Sequence, residues 1–399
     1  MQNLRFYTAG ESHGQGLTGI LEGMPANTPI SVAEIDHQLY RRQQGYGRGG
    51  RMKIEKDAAK ILSGVRFGLT MGGPISLFIE NKDWKNWEKR MAVEGDNIEP
   101  RPVHVPRPGH ADLAGATKYN QNDIRNILER ASARETTTRV ALGAIARQFL
   151  ERLGIGVASH VVQMVDVRSK YSLVDQGKPD FNLDLTKLNE LADASPVRCL
   201  DPEAEKGMMA LIDQAKKERD TVGGIFEVVA YNVPIGLGSH VHWDRKLDAR
   251  IAYAMMSIQA MKAVEIGDGI GGACRFGSQV HDEIYYQKDK NQYFRKQNHA
   301  GGLEGGVTNG MPLVVRVAMK PISTLMRPLD SVNMQTKEVT PAHRERSDVC
   351  AVPPAAIIGE AMLALVLADA VLEKFGGDAF EETKERYDAW IERTQEGVL

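Results

Sequence analysis

From Ala355 to Leu372 the chain is apolar except for Glu360 and Asp369. A run that is hydrophobic around its whole circumference must be shielded on every side, by protein or by lipid. The two carboxylates favour a buried helix over a membrane span. Pro354 opens this helix, and Gly376-Gly377 ends it after Phe375, as proline and glycine commonly do at helix ends. The helices starting near Ala133 and Arg245 are also apolar on much of their surface. Several such helices belong at the centre of a fold, with other layers around them.

The remaining elements fit that arrangement. Ser31 with Glu34 forms a capping box ahead of a helix ending near Gln43, and Ser132 with Glu135 forms one ahead of a helix to Leu153. Asp201-Pro202 opens a helix closing at Lys216-Lys217, and Asp244 caps one to about Lys262. Strands are expected at 17–21, 61–65, 75–79, 157–165, 225–231 and 313–319. They do not alternate with helices as in a parallel sheet. The expected fold is therefore α+β, a layered sandwich of antiparallel sheets around a buried helical core, as one domain over 1–399. Polar excursions are expected near 82–101 and 168–220. The tail after Phe380 is either a helix against a partner or a frayed end, with fraying the expectation.

Cys199, Cys274 and Cys350 are odd in number and far apart. This argues for a reducing compartment and against a thiolate zinc site. The opening residues from Met1 to Glu11 are too polar for a signal peptide, so the chain reads as cytoplasmic and without a membrane span.

Arginines carry the functional signal. Arg41, Arg42, Arg48 and Arg51 lie in one stretch with Gly45, Gly47, Gly49 and Gly50, and Arg101, Arg107, Arg130, Arg134, Arg139, Arg344 and Arg346 follow. The formal net charge is only −2, so these cations are local and suit a pocket for a small, multiply charged anion. The segment from Arg130 to Glu135 straddles a helix start, where free N–H groups attract phosphate; the alternative is a plain serine cap flanked by surface arginines. A Gly-Arg segment is also the mark of RNA-binding arms, but those repeat in low-complexity sequence and this one occurs once.

His13 and His110 are each flanked by glycine, where a ring can approach a ligand and deliver a proton to a leaving phosphate; the alternative is an exposed loop histidine. His240 and His242 share a face of an expected strand, but no third ligand is in view and no metal is expected. Gly267-Asp268-Gly269-Ile270-Gly271-Gly272 matches the dinucleotide pattern, but a helix is expected before it and a strand at 274–280 after it, the reverse of what that site needs.

Taken together, these segments resemble the chorismate synthase family over nearly the whole chain. The resemblance is carried by 10–14, 42–51, 107–112, 129–135 and 243–249, then by 301–306, 320–324 and 345–348, in the family's order. It implies 1,4 anti elimination of phosphate and a ring hydrogen from 5-enolpyruvylshikimate 3-phosphate, giving chorismate, with reduced FMN required. By the same resemblance Arg42, Arg48, Arg51, Arg107 and Arg134 hold the substrate's anionic groups. His110 acts as acid near the leaving phosphate, His13 sits near the flavin, and Asp348 takes part in proton transfer involving flavin N5. Arg130, Ala131, Ser132, Gln259, Ala260, Gly305, Lys320, Pro321, Ile322, Ser323, Thr324 and Arg346 contact FMN. Gln259 stands where Asn is expected, and Ala131 lacks a hydroxyl found in some members. A homotetramer is implied. Some relatives carry an NADPH-dependent flavin reductase activity; with no added module here, an external flavin reductant is expected. The competing readings are a flavin-free transferase or phosphatase acting on a sugar-like phosphate, and an RNA-binding protein, the latter opposed by a pI near 6.6.

Overall fold

The computed structural model describes residues 3–49, 56–95, 102–173, 183–289, 292–345 and 347–395. Strands β1 (Arg5–Ala9), β2 (Gly16–Glu22), β3 (Lys60–Ser63) and β4 (Ile75–Glu80) form an antiparallel sheet in the order β1-β2-β4-β3. Alternation sets its inner face: Leu17 and Leu21 of β2 and Ile75, Leu77 and Ile79 of β4 are buried. A second antiparallel sheet contains β5 (Gly156–Met164), β6 (Val167–Arg168), β7 (Gly224–Tyr231), β8 (Met261–Ile266) and β9 (Leu313–Met319), in the order β8-β9-β7-β5-β6. Here β5 is buried almost residue for residue, because both faces of the sheet are covered. Ala158, Val229 and Val314 face a separate small cluster with Leu173 and Leu188, while their neighbours face the main core.

The helices are α1 (Val32–Gln43), α2 (Asp112–Tyr119), α3 (Arg125–Ala131), α4 (Thr136–Arg152), α5 (Pro202–Glu218), α6 (Leu247–Met256), α7 (Val352–Phe375) and α8 (Phe380–Gln395). Of these, α1, α4 and α7 form a layer between the sheets: α4 packs on β2, and α7 on β5 and β7. The layers approach closely where side chains are missing. A Cβ added at Gly19 would fall 2.5 Å from Thr138, and one at Gly143 would fall 2.5 Å from the Ala361 Cβ. The fold is thus α+β with antiparallel sheets around a helical core, as expected.

Several local expectations fail. The helix after Asp244 stops at Met256, and β8 begins at Met261; Ala260, at φ +70°, turns the chain between them. The stretch 274–280 is not a strand but holds a single helical turn, Gly277–Gln279, after the short helix Gly269–Ala273. The glycine pattern therefore does follow a strand and open a helix. It still lacks a dinucleotide-binding unit, since β8 is an antiparallel edge strand and the helix has only five residues. His240 and His242 lie in an irregular segment before the one-turn helix Trp243–Arg245, not on a strand. The stretch 168–220 is only partly peripheral: Arg198 and Cys199 are buried, and α5 sends Met208 and Ile212 into the core. The stretch 82–101, described to residue 95, is largely exposed, yet its Trp87 ring stacks on His13 at 4.0 Å. The tail, described to Gln395, is a packed helix and not frayed. As α8 it buries Thr383 and Tyr387, and Trp390 donates from Nε1 to Ile235 O.

The two charges within the apolar stretch of α7, Glu360 and Asp369, are both matched. Glu360 accepts from Arg41 Nη1 at 2.8 Å, Arg147 Nη1 at 2.7 Å, Arg198 Nη2 at 3.3 Å and Ser159 Oγ at 2.6 Å. Burial alone would push its pKa up, but Arg41, Arg147 and Arg198 hold it at about 2. Asp369 accepts from the backbone N–H groups of Asn3 and Leu4, each at 2.8 Å, and pairs with Arg250. The Glu360 pKa is depressed on folding, so its stabilisation is complete above its ordinary value of 4.5 and fades as pH falls toward about 2. Glu360→Gln should cost about 3–5 kcal/mol at neutral pH, because buried guanidiniums lose their counter-charge. In chemical denaturation across that pH window, the gap between variant and wild type should narrow as the wild-type carboxylate protonates.

Candidate active site

The N-terminal end of α7 opens onto a cavity of about 410 Å³, where Ala351, Pro354, Ala355 and Ile358 form an apolar wall. Chain segments distant in sequence supply the rest of its lining. The cavity collects His13, Arg42, Arg48, Arg107, His110, Ala131, Ser132, Arg134, Gln259, Ala260, Lys320, Ile322, Ser323, Thr324 and Asp348.

Arg42 sits in the last turn of α1. Beyond it, Gly45 (φ +120°) and Gly47 (φ +83°) turn the chain so that Arg48 also reaches the cavity. A Cβ at Gly47 would lie 2.7 Å from Ile212, so this turn depends on glycine. The arginines are held by acids and oxygens. Arg42 Nη2 donates to Ala133 O and Thr136 Oγ1, both at 2.9 Å. Arg134 donates from Nε to Asn81 Oδ1 at 2.9 Å and from Nη1 to Asp57 Oδ1 at 2.5 Å, while Arg42 Nη1 lies 3.7 Å from Asp57 Oδ2. Arg48 Nη1 pairs with Asp348 Oδ2 at 2.8 Å, and the other Asp348 oxygen accepts from Gly49 N at 2.6 Å. Burial lowers the Arg42 pKa to about 10, with Arg48 and Arg134 adding repulsion that Asp57 opposes. Cations crowded in this way gain stability when an anion arrives.

Arg107 and His110 share Asp112, which accepts from Arg107 Nε at 2.8 Å and lies 2.5 Å from His110 Nδ1. Burial raises the Asp112 pKa, but the bonds from His110 and Arg107 outweigh it and hold the carboxyl well below the usual range. Arg107 Nη1 reaches Thr324 Oγ1 at 2.9 Å, and Lys320 Nζ donates to Gly109 O, so the two loops are joined. Ser132 Oγ accepts from Arg134 N and donates to Ser12 Oγ at 3.2 Å. Glu135 does not complete the expected capping box. Its carboxylate accepts from Thr8, Arg139 and Gln259 instead. Gln259 Nε2 is thereby fixed at 3.0 Å from Glu135, while its Oε1 is buried with no hydrogen-bond partner.

Some expected residues lie elsewhere. Arg130 is half-exposed and turned away, its Nη2 donating to Thr8 O at 2.7 Å. Pro321 is outside the lining, although both its neighbours belong to it. Gly305 forms the turn between Leu303–Glu304 and Val307–Thr308, beside His240 and away from the cavity. Arg51 and Arg346 lie outside the described residues. No cluster of three or more potential metal ligands occurs among the described residues. Sequence reading missed Asp57, Asn81, Trp87 and Glu129 as supports of the site. Each acts through a contact with a distant residue that its local sequence does not announce. Chemically, the cavity joins fixed guanidiniums to two imidazoles backed by carboxylates, a site able to grip a polyanion and move protons beside it.

Comparison with known proteins agrees. The chorismate synthase family model matches residues 4–372. A chorismate synthase of Aquifex aeolicus (strain VF5) is 58% identical over 395 residues, covering 98% of each chain. Another, from Solibacter usitatus (strain Ellin6076), is 52% identical over 394 residues, covering 98% of this chain and 99% of that one. The crystal structure of a chorismate synthase matches with a TM-score of 0.78 at 47% identity, covering 99% of both chains. With fold, cavity and near-complete similarity in agreement, the chain belongs to the chorismate synthase family of phosphate-eliminating lyases, enzymes of the shikimate pathway that act on 5-enolpyruvylshikimate 3-phosphate with a flavin cofactor.

Proposed function

We propose that this cavity carries out the 1,4 anti elimination that turns 5-enolpyruvylshikimate 3-phosphate into chorismate, with reduced FMN bound beside the substrate. The observation that carries the reading is the convergence of Arg42, Arg48, Arg107 and Arg134 with His13 and His110 in one cavity. The substrate's phosphate and two carboxylates need several fixed cations, and guanidinium forks onto such oxygens. Arg42, Arg48 and Arg134 hold one side of the substrate. Arg107 and His110 serve the leaving phosphate: the guanidinium neutralises its growing charge and the imidazole supplies a proton. Asp348, anchored by Arg48 and Gly49, takes part in proton transfer on the cofactor side. Arg51 extends the substrate set.

The residues fit a flavin. The unpartnered, buried Gln259 Oε1 is an acceptor for a ligand N–H, and longer Gln reaches where Asn is expected. Ala131, Ser132, Ala260, Lys320, Ile322, Ser323 and Thr324 line the same wall. Arg130, Gly305, Pro321 and Arg346 belong to the proposed FMN set by resemblance alone. Held by these residues, reduced FMN would supply transient electron donation with no net change of oxidation state. The apolar wall at the start of α7 keeps water away, so each charge acts more strongly. The reading includes a cytoplasmic homotetramer supplied with reduced flavin by an external reductant. Exposed Ile270, Phe276 and Ile284 give the assembly apolar surface to cover.

Anaerobic incubation with substrate and photoreduced FMN should yield chorismate, with none formed when flavin is omitted. Phosphate release without flavin would instead indicate the phosphatase or transferase reading. His110→Ala should cut turnover by ~10²- to 10⁴-fold, as for other acid–base groups; unchanged turnover in the folded variant would remove that role. Arg48→Ala should weaken substrate binding by about 10- to 10²-fold, the worth of a charged hydrogen bond, with a much smaller change for FMN. Titrations showing equal losses for both ligands would contradict the assignment.

A further inference from the structure

Glu129 lies at the inner end of α3, and its side chain is almost wholly buried. Both its oxygens point at the His13 segment, more than a hundred residues away in sequence. Oε1 lies 2.9 Å from His13 Nδ1, and Oε2 accepts from the His13 backbone N–H at 2.7 Å while staying 3.1 Å from Nδ1. The Glu129 carbonyl oxygen also accepts from Ser12 N at 3.0 Å. One residue therefore grips His13 by backbone and ring together. The ring's flat face is fixed as well, stacked on Trp87 at 4.0 Å. Arg125 completes the clamp. It donates to Glu129 Oε1 at 2.9 Å, lies over the Trp87 ring at 5.0 Å, and reaches Glu345 at 3.3 Å.

We infer that Glu129 is the positioning residue for His13: it holds the imidazole in the Nδ1–H tautomer and turns Nε2 toward the cavity. An ionised carboxylate only accepts hydrogen bonds, so the nitrogen against it must carry the proton. Burial would raise the Glu129 pKa, but the bonds from His13 and the charges of His13 and Arg125 lower it, which keeps the group ionised. Glu345, on the cavity side, is another acid near this histidine, and it is engaged by Arg125 and His343. The same construction recurs across the cavity, where Asp112 takes a guanidinium, an imidazole Nδ1 and a backbone N–H, from Arg107 and His110. Two histidines in one site, each backed by a carboxylate that is shared with an arginine, mark the arrangement as part of the machinery. A carboxylate in this role orients the ring and stabilises its charged form without itself being protonated. The consequence for turnover rests on the elimination reading above; the tautomer does not.

The geometry makes glutamine a sharp probe. Among the described residues, the groups bonded to the two Glu129 oxygens are donors: the ring Nδ1–H, the backbone N–H and Arg125. An amide must set its own NH₂ against one of them, so Glu129→Gln cannot satisfy the site with the ring unchanged. Arg125 keeps Glu345 as a counter-charge, which limits the damage to folding. The test is nitrogen NMR of the full-length apoenzyme with ¹⁵N-labelled histidine, at alkaline pH where imidazole is neutral. The His13 signals are assigned by their loss in His13→Ala. Wild type should show Nδ1–H with an unprotonated Nε2. Glu129→Gln should move the population toward Nε2–H, and Glu129→Asp, which restores the charge, should move it back. In turnover, Glu129→Gln should lose ~10- to 10²-fold in kcat, less than the ~10⁴-fold known when such a carboxylate is neutralised in a serine protease. It should add nothing to His13→Ala. A wild-type Nε2–H tautomer would overturn the inference, as would a folded Glu129→Gln enzyme with both tautomer and kcat unchanged. Because the NMR arm contains neither flavin nor substrate, a failed chorismate assay would count against the function and leave the tautomer result standing.

Discussion

A carboxylate in the middle of the most deeply buried helix sets the terms for everything around it. Glu360 cannot reach water, so guanidiniums had to be brought to it from α1, from α4 and from the chain ahead of α5. Those three bonds join the first helix, the central helix pair and the segment that leads into α5. The same helix begins at the wall of the cavity. Its first turns are locked by packing against α4 and the second sheet, so that wall has little freedom to shift. A reaction that depends on excluding water and holding charges still is served by placing it against the stiffest part of the fold.

The cavity itself stores electrostatic strain in a controlled way. Burial depresses the Arg42 pKa and the nearby Arg48 and Arg134 lower it further, while Asp57 and Asp348 keep the three arginines together. All three arginines line the cavity, whereas Asp57 lies outside its lining. A polyanion thus enters a site already organised for it and relieves repulsion on arrival, which reduces the ordering cost of binding.

Much of this was legible from residues that speak locally. Ser31, Asp201, Pro354 and Gly376 mark helix ends through capping and backbone geometry, and α1, α5 and α7 stand where those signals place them. The apolar character of α4 and α7 announced a covered helical layer, and the alternation in β2 and β4 announced a sheet against it. Features set by distant contacts were silent. Strand β1 is an edge with no fully buried residue, and β8 follows α6 with no glycine or proline to announce it; Ala260 adopts its positive φ only in context. Arg41 and Arg42 look equivalent in a list of arginines. Neighbours on a helix point ~100° apart, so Arg41 turns to Glu360 while Arg42 faces the cavity. Trp87 lies in a charge-rich stretch that reads as surface, and only the fold shows its ring on His13.

The pairing of Asn3 and Leu4 with Asp369 has a consequence for how the molecule is made. Asn3 finds its acceptor 366 positions later in the chain. Strand β1 can pair with β2 early, but the anchorage of Asn3 and Leu4 must wait until Asp369 has been translated. Contacts of such long range slow the search for the native state. Until then the edge of the first sheet is a surface that nascent chains have in common, and chaperones have reason to guard it.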